Sequence, residues 1–413
     1  MELTLPFYFC QKLFYMNALS NRIKSIPESA TLAMAAKARE MKERGVEVIS
    51  LSLGEPDFKT PKHIQEGAME AIKSENYFAY PPVNGYLDLR KAISEKFQRD
   101  NGLNYGPDQI VVSNGAKQSI ANVFMAILNP GDEVIVLTPY WVSYSAMILL
   151  AEGKPVFVRG TIENDFKATA DQIKEAITDK TKAIIFSSPC NPTGSVFTRD
   201  ELEGIANVLR DREDITIISD EIYELINFGA KHESIGTLDG MLERTVTVNG
   251  FSKGFAMTGW RVGYIGAPLW IAKAANKMQG QYTSGNCSIA QRAALTALTG
   301  PMEPSKEMAK AYEKRRSLVY NLLKEIPGFE VNMPQGAFYF FPNVRHYLGK
   351  SHGDTRIETV NDLCMFLLED AHVSLVTGEA FGDPECLRLS YAASEEDLKK
   401  AIAKMTVSLA KLS

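Results

Sequence analysis

An α/β fold with a mostly parallel sheet, covered by helices on both faces, is what this sequence predicts. Three observations lead there. Short β-branched runs alternate with helical stretches through the middle of the chain. Polar residues gather just where those runs end, and ligands of open α/β sheets sit at the carboxyl ends of the strands. The length of 413 residues allows a large core and more than one domain.

Taken in order, MELTLPFYFCQKLFYM is apolar and aromatic but opens on Glu2, is interrupted by Gln11 and Lys12, and precedes no small-residue cleavage site. Residues 1–18 therefore read as an extension outside the core fold, with Met16 a candidate alternative start. TLAMAAKAREMKERG reads as an amphipathic helix over about 30–45, stopped by Gly45. VEVISLSLGEPDF reads as a strand running into a Gly/Pro turn, followed by helical patterns at about 62–74 and 87–101. VSNGAKQSIANVFMAIL is a turn that opens a helix. Strands are expected in DEVIVLTP, KPVFVRG, KAIIFSSP, ITIISDE and RTVTVNGFSK, with helices such as 199–211 between them. The character changes at GPMEPSKEM (300–308): a long charged helix (about 305–325), aromatic strands around GAFYFFP and a C-terminal helix suggest a second, smaller α+β domain.

Composition narrows the function. Hydrophobic residues make up 45% and charged residues 23%, values of a soluble globular chain. With 45 Lys and Arg against 50 Asp and Glu, the formal charge is −5, which argues against a nucleic-acid partner. No charge-free apolar run approaches the roughly 20 residues of a membrane span, so no membrane partner is expected. Five scattered cysteines without a C-x-x-C read as reduced thiols of a cytoplasmic protein. Five histidines without H-E-x-x-H give no metal site. Neither G-x-G-x-x-G nor a Walker A loop is present, which removes a nucleotide-binding α/β protein. The roughly 50 residues before GEPDF are too few and too weakly basic for the winged-helix segment of a regulator.

Three strand ends carry chemistry. Asn191 follows KAIIFSSP, Asp220 and Tyr223 close ITIISDEIY, and Ser252 and Lys253 follow RTVTVNG. Alone, each has a plain reading: a turn residue before Pro192, a helix cap, a solvated lysine. Together, an amide, an acid with a phenol and a lysine suit pyridoxal phosphate. That cofactor offers an aldehyde to a lysine amine, a pyridine nitrogen to a carboxylate and a ring oxygen to amide and phenol donors. Its phosphate needs a helix start and a cation; SNGAKQS supplies the first, and Arg261, eight residues after Lys253, the second.

GFSKGFAMTGWRVG (250–263) resembles, position for position, the lysine signature of class I aminotransferases. LSLGEPDF, YPPVNGY, NPTG, SDEIY, GAFYF and RLSYA are similar to that family's other landmarks, in the same order, and the resemblance covers roughly 20–410. PYWVSY and SNGAKQS look like the bacterial and plastid aspartate aminotransferases, a branch that also holds prephenate aminotransferases. The resemblance implies a large, mostly parallel seven-stranded domain (62–304) and a small domain built from 19–61 and 305–413. It further implies a homodimer with shared sites. Lys253 would bind the cofactor covalently and shuttle a proton; Asp220 would pair with the ring nitrogen; Tyr223 and Asn191 would donate to the ring oxygen; Trp141 would stack on the ring. Gly115, Ala116 and Lys117 would receive the phosphate with Ser252 and Arg261, and Tyr80 would reach it from the neighbouring subunit. Arg388 would bind the substrate α-carboxylate, with Gly54 offering backbone to the same group.

Amino acid and 2-oxo acid substrates follow from the same resemblance. No arginine stands between Arg261 and Arg292, where the animal and enterobacterial branch places its distal-carboxylate arginine. The plastid-like branch uses a lysine, matched by Lys117, and a Ser/Thr for which Ser29 and Thr31 are the candidates; Lys24 is more simply a solvated helix-start lysine. The expected activity is transfer between aspartate and 2-oxoglutarate, with prephenate amination as the alternative.

Overall fold

The computed structural model describes residues 19–26, 30–229 and 231–413. The expected N-terminal extension and Ser29 lie outside the described residues.

The main sheet has seven strands: β1 (Ile110–Ser113), β2 (Glu133–Thr138), β3 (Lys154–Arg159), β4 (Thr181–Ser187), β5 (Thr216–Asp220), β6 (Thr245–Gly250) and β7 (Gly263–Gly266). Their spatial order is β1-β7-β6-β5-β4-β2-β3. Neighbours pair in parallel except at β7, which runs antiparallel to both β1 and β6. Alternate residues feed two cores. Val134, Val136, Ile185 and Ile218 pack with Ile120 and Phe124 on one face; Ile135, Ile184 and Ile217 pack with Leu202 and Ile205 on the other. Burial on both faces is why these strands read as unbroken apolar runs.

β1 and β7 were not among the expected strands. Each is four residues long, and β7 (GYIG) is half glycine. Those glycines answer to packing: a Cβ on Gly263 would lie 2.1 Å from the Ala116 nitrogen, and one on Gly266 2.4 Å from the Tyr105 ring. Conversely, the expected VEVISLSL strand shrinks to Ile49–Ser50, paired in parallel with Val373–Ser374, and the aromatic run to Tyr339–Phe340. Leu51 N still donates to the Ser374 carbonyl, and the Leu51 carbonyl then turns to another partner, accepting from Ser390 N.

A further core joins the chain ends. Met34 and Ala38 from helix α1 (Ala30–Glu43) pack with Tyr312 and Val319 from helix α2 (Glu303–Lys324) and with Phe338, Leu363 and Leu389. This assembly carries Arg388 over the carboxyl ends of β4, β5 and β6.

Candidate active site

Register aligns the strand ends. Ser187 closes β4 opposite Asp220 of β5, and Asp220 lies opposite Val248 of β6. Just beyond them opens a cavity of about 440 Å³. Its walls hold Asn191, Asp220 and Tyr223, then Ser252 and Lys253, then Ala116, Lys117, Trp141 and Arg261. Gly54, Thr31 and Arg388 close it from the segments near the chain ends. Gly115 stands beside it as N-cap of the helix Ala116–Ile127. Of the expected residues, Tyr80, 96% exposed, and Lys24, also exposed, do not line the cavity.

Three charges meet here without an ion-pair partner among the described residues. Buried Asp220 accepts from the Tyr144 hydroxyl at 2.6 Å and from Ile222 N at 3.3 Å. Burial pushes its pKa up to about 6, against the pull of those hydrogen bonds. Part-buried Lys253 donates from Nζ to the Gly54 carbonyl. Burial, then the Arg388 charge, lowers its pKa to about 8. Arg388, 2% exposed, donates to Asn191 Oδ1 at 3.0 Å and to the Ser52 carbonyl at 2.6 Å, while its buried Nε has no partner. A buried guanidinium with no carboxylate beside it is a strong site for an incoming one.

The other end of the cavity suits a multiply charged anion. First-turn N–H groups of a helix have no intrahelical acceptor, and they carry the positive end of its dipole. Arg261, itself in the left-handed region at φ 56°, donates to the Thr258 carbonyl at 2.9 Å and to the Asn114 carbonyl at 3.3 Å. A Cβ on Gly115, whose φ is 83°, would lie 2.3 Å from Arg261 Nη2, so only glycine lets the guanidinium reach the helix start. The Lys117 ammonium lies 5.0 Å from the centre of the Trp141 ring; desolvation first, then Arg261, lowers its pKa.

The sequence matches the family Aminotransferase class I and II over residues 46–405. It is 46% identical over 389 residues to an aspartate aminotransferase of Bacillus subtilis, covering 94% of this chain and 98% of that protein. The chain belongs to the class I and II aminotransferases. A Petunia hybrida relative, named a bifunctional aspartate aminotransferase and glutamate/aspartate-prephenate aminotransferase, is 45% identical over 397 residues, covering 95% of this chain and 83% of that one. Among solved structures, the aspartate aminotransferase from Rhizobium meliloti superposes with a TM-score of 0.92 at 42% identity, covering 96% of this chain and 99% of that one.

Aminotransferases of this family use pyridoxal phosphate, and the cavity suits it. Among the described residues, a carboxylate, an amine and a guanidinium lack ion-pair partners here, while a helix start and Arg261 face a cradle that any Cβ at Gly115 would fill. Sequence reasoning missed two members of this aminotransferase site. Tyr144, on the helix Ser143–Leu150, supplies the Asp220 hydrogen bond, and Tyr339 shares one of 2.7 Å with the Tyr223 hydroxyl. Both stood inside motifs already singled out, PYWVSY and GAFYF, yet only the folded packing gives their hydroxyls these partners.

Proposed function

We propose that this chain is an aspartate aminotransferase, moving the amino group of L-aspartate to 2-oxoglutarate with pyridoxal phosphate as cofactor. The observation that carries the reading is the convergence of Lys253, Asp220 and Arg388 on one cavity, each without an ion-pair partner among the described residues. When bound, the cofactor supplies an aldehyde for covalent capture and a protonated ring that draws electrons from the substrate Cα.

The chain's own residues do the rest. Lys253, with its pKa lowered to about 8, has a far larger free-amine fraction at neutral pH than an ordinary lysine, and later carries the proton at the substrate Cα. Asp220 holds the proton on the ring nitrogen, and Tyr144 holds Asp220. Tyr223 and Asn191 donate to the ring oxygen, while Trp141 covers the ring face. The helix start at Gly115, Ala116 and Lys117, with Ser252 and Arg261, takes the phosphate. Arg388 orients the α-carboxylate beside Gly54, and Lys117 with Thr31 reads the distal carboxylate. Residues 62–304 form the large domain, and 19–61 with 305–413 the small one. The working form is a cytoplasmic homodimer in which Tyr80 reaches the partner's phosphate site; its near-complete exposure in the single chain supports this.

A second activity on prephenate is supported by the double names of several relatives, the Petunia one among them. Pairwise assays of aspartate, prephenate, aromatic and branched amino donors or acceptors test both. Aspartate and 2-oxoglutarate should turn over and Lys253→Ala should not. Turnover of aromatic donors with none of aspartate would overturn the substrate assignment.

A further inference from the structure

Directly behind the cavity lies a second buried cluster of charges. The chain runs Asp220-Glu221-Ile222-Tyr223-Glu224, and Glu224 N bonds to the Glu221 carbonyl at 3.0 Å, so residues three apart share a face of the turn. Asp220 and Tyr223 line the cavity; Glu221 and Glu224 enter the second cluster. Glu221, 1% exposed, accepts from Ser234 Oγ at 2.6 Å, Ser219 Oγ at 2.9 Å and Asn101 Nδ2 at 3.4 Å, and pairs with His232 Nε2 at 2.8 Å. Glu224 pairs with buried Lys96 and accepts from Asn101 Nδ2 at 2.7 Å. Lys96 in turn donates to Asn101 Oδ1 at 2.7 Å. Lys96 ends the helix Leu87–Lys96, and the π-helical turn Phe97–Asn101 swings Asn101 back beside it, more than a hundred residues from the acids in sequence.

We propose that Lys96, Glu221, Glu224 and His232 are positioning residues: a buried charge network that fixes the turn carrying Asp220 and Tyr223 against the cofactor. This rests on the reading of the cavity as a pyridoxal phosphate site. Two carboxylates buried this deeply are costly unless paired. Lys96 balances one by charge, and the His232 ring, two serine hydroxyls and the Asn101 amide satisfy the other by hydrogen bonds. Burial draws the His232 pKa down, and Glu221 more than offsets it, leaving it raised. A divalent ion is a poor occupant even though Glu221, Glu224 and His232 lie close enough to ligate one, because the Lys96 ammonium already holds Glu224. Nothing in the network lines the cavity, so it acts through the two side chains that do.

The test compares Glu221→Gln, His232→Leu and His232→Gln, the last keeping an N–H near the position of Nε2. Three quantities are read for each: melting of the cofactor-free protein, the dissociation constant of pyridoxal phosphate, and kcat per bound cofactor with the KM for aspartate. Glu221→Gln and His232→Leu should weaken cofactor binding about tenfold and lower kcat per bound cofactor by a similar factor, the scale on which a supporting shell acts on a bound group. The aspartate KM should stay nearly unchanged, and His232→Gln should restore most of both losses. Should the two disruptive variants only melt earlier, while binding cofactor and turning over as the parent does, the network serves stability alone and the proposal fails. If Glu221→Gln does not fold, the His232 pair decides by the same criteria. A parent protein that takes up no pyridoxal phosphate overturns the functional reading itself, and this proposal with it.

Discussion

Asp220 stands under opposing demands. Its carboxylate is buried beside one phenol and one backbone N–H, with no ion-pair partner among the described residues, and its pKa rises from 3.8 to about 6. The folded state thus binds its proton more tightly than the unfolded state, and stability falls as pH rises between those two values. At pH 7 the cofactor-free protein carries a penalty of about 3 kcal/mol from this one group. Asp220→Asn should therefore raise the melting temperature of the cofactor-free protein at pH 7, and the gain should vanish below about pH 4. The same substitution removes the charge that keeps the ring nitrogen protonated, and should lower kcat by about 3 kcal/mol of barrier, the cost of losing a preorganised electrostatic contact. Calorimetry and steady-state kinetics on one variant check both halves; a kcat defect repaired by excess cofactor would make the role one of binding only. Lys253 gives the companion expectation. With a pKa of about 8 in the cofactor-free site, its rate of covalent capture should rise about tenfold per pH unit below 8 and level off above it. Stopped-flow absorbance in the visible reads this directly, and a flat profile from pH 6 to 9 would contradict it.

At the scale of elements, five of the seven sheet strands were legible: β2, β4, β5 and β6 are buried almost throughout, and the edge strand β3, though partly exposed, still shows a short β-branched and aromatic run. β1 and β7 were not, since four residues, two of them glycines in β7, carry no pattern that separates strand from turn. The chemistry was legible for a related reason. Asn191, Asp220 and Lys253 sit where apolar runs stop, whereas Tyr144 lies within a helix and gains its meaning from a carboxylate 76 residues away. The helix start at Gly115 carries the sharpest test of the substrate assignment. Lys117 is exposed at the cavity wall, so its interaction with a distal carboxylate is partly screened. Lys117→Ala should lower kcat/KM for aspartate, glutamate and prephenate by about 1–2 kcal/mol and leave aromatic donors nearly unaffected. An equal loss for every donor, with weaker cofactor retention, would assign the ammonium to the phosphate instead.

For the whole molecule, the site exists only where separate cores meet. Arg388 comes from the core of the chain ends, its acceptors Ser52 O and Asn191 Oδ1 from opposite sides of the cavity, and Lys253 reaches Gly54 across the same gap. One expected contributor is still absent from a single chain. Tyr80 stands 96% exposed, with Phe78 nearby at 66%, an unusual display of aromatic surface for a lone subunit. If Tyr80 completes the partner's phosphate site, two defective chains can complement each other. A Lys253→Ala subunit keeps a sound Tyr80, and a Tyr80→Ala subunit keeps a sound Lys253. In a mixed dimer, the site built on that lysine then receives its tyrosine, while the other site has neither. Unfolding and refolding the two variants in equal amounts should give mixed dimers as about half of the population, and hence recover roughly a quarter of parental activity above the sum of the separate variants. Differently tagged chains allow the mixed species to be isolated. Mixed dimers that form but recover nothing beyond the Tyr80→Ala background would confine each site to a single chain.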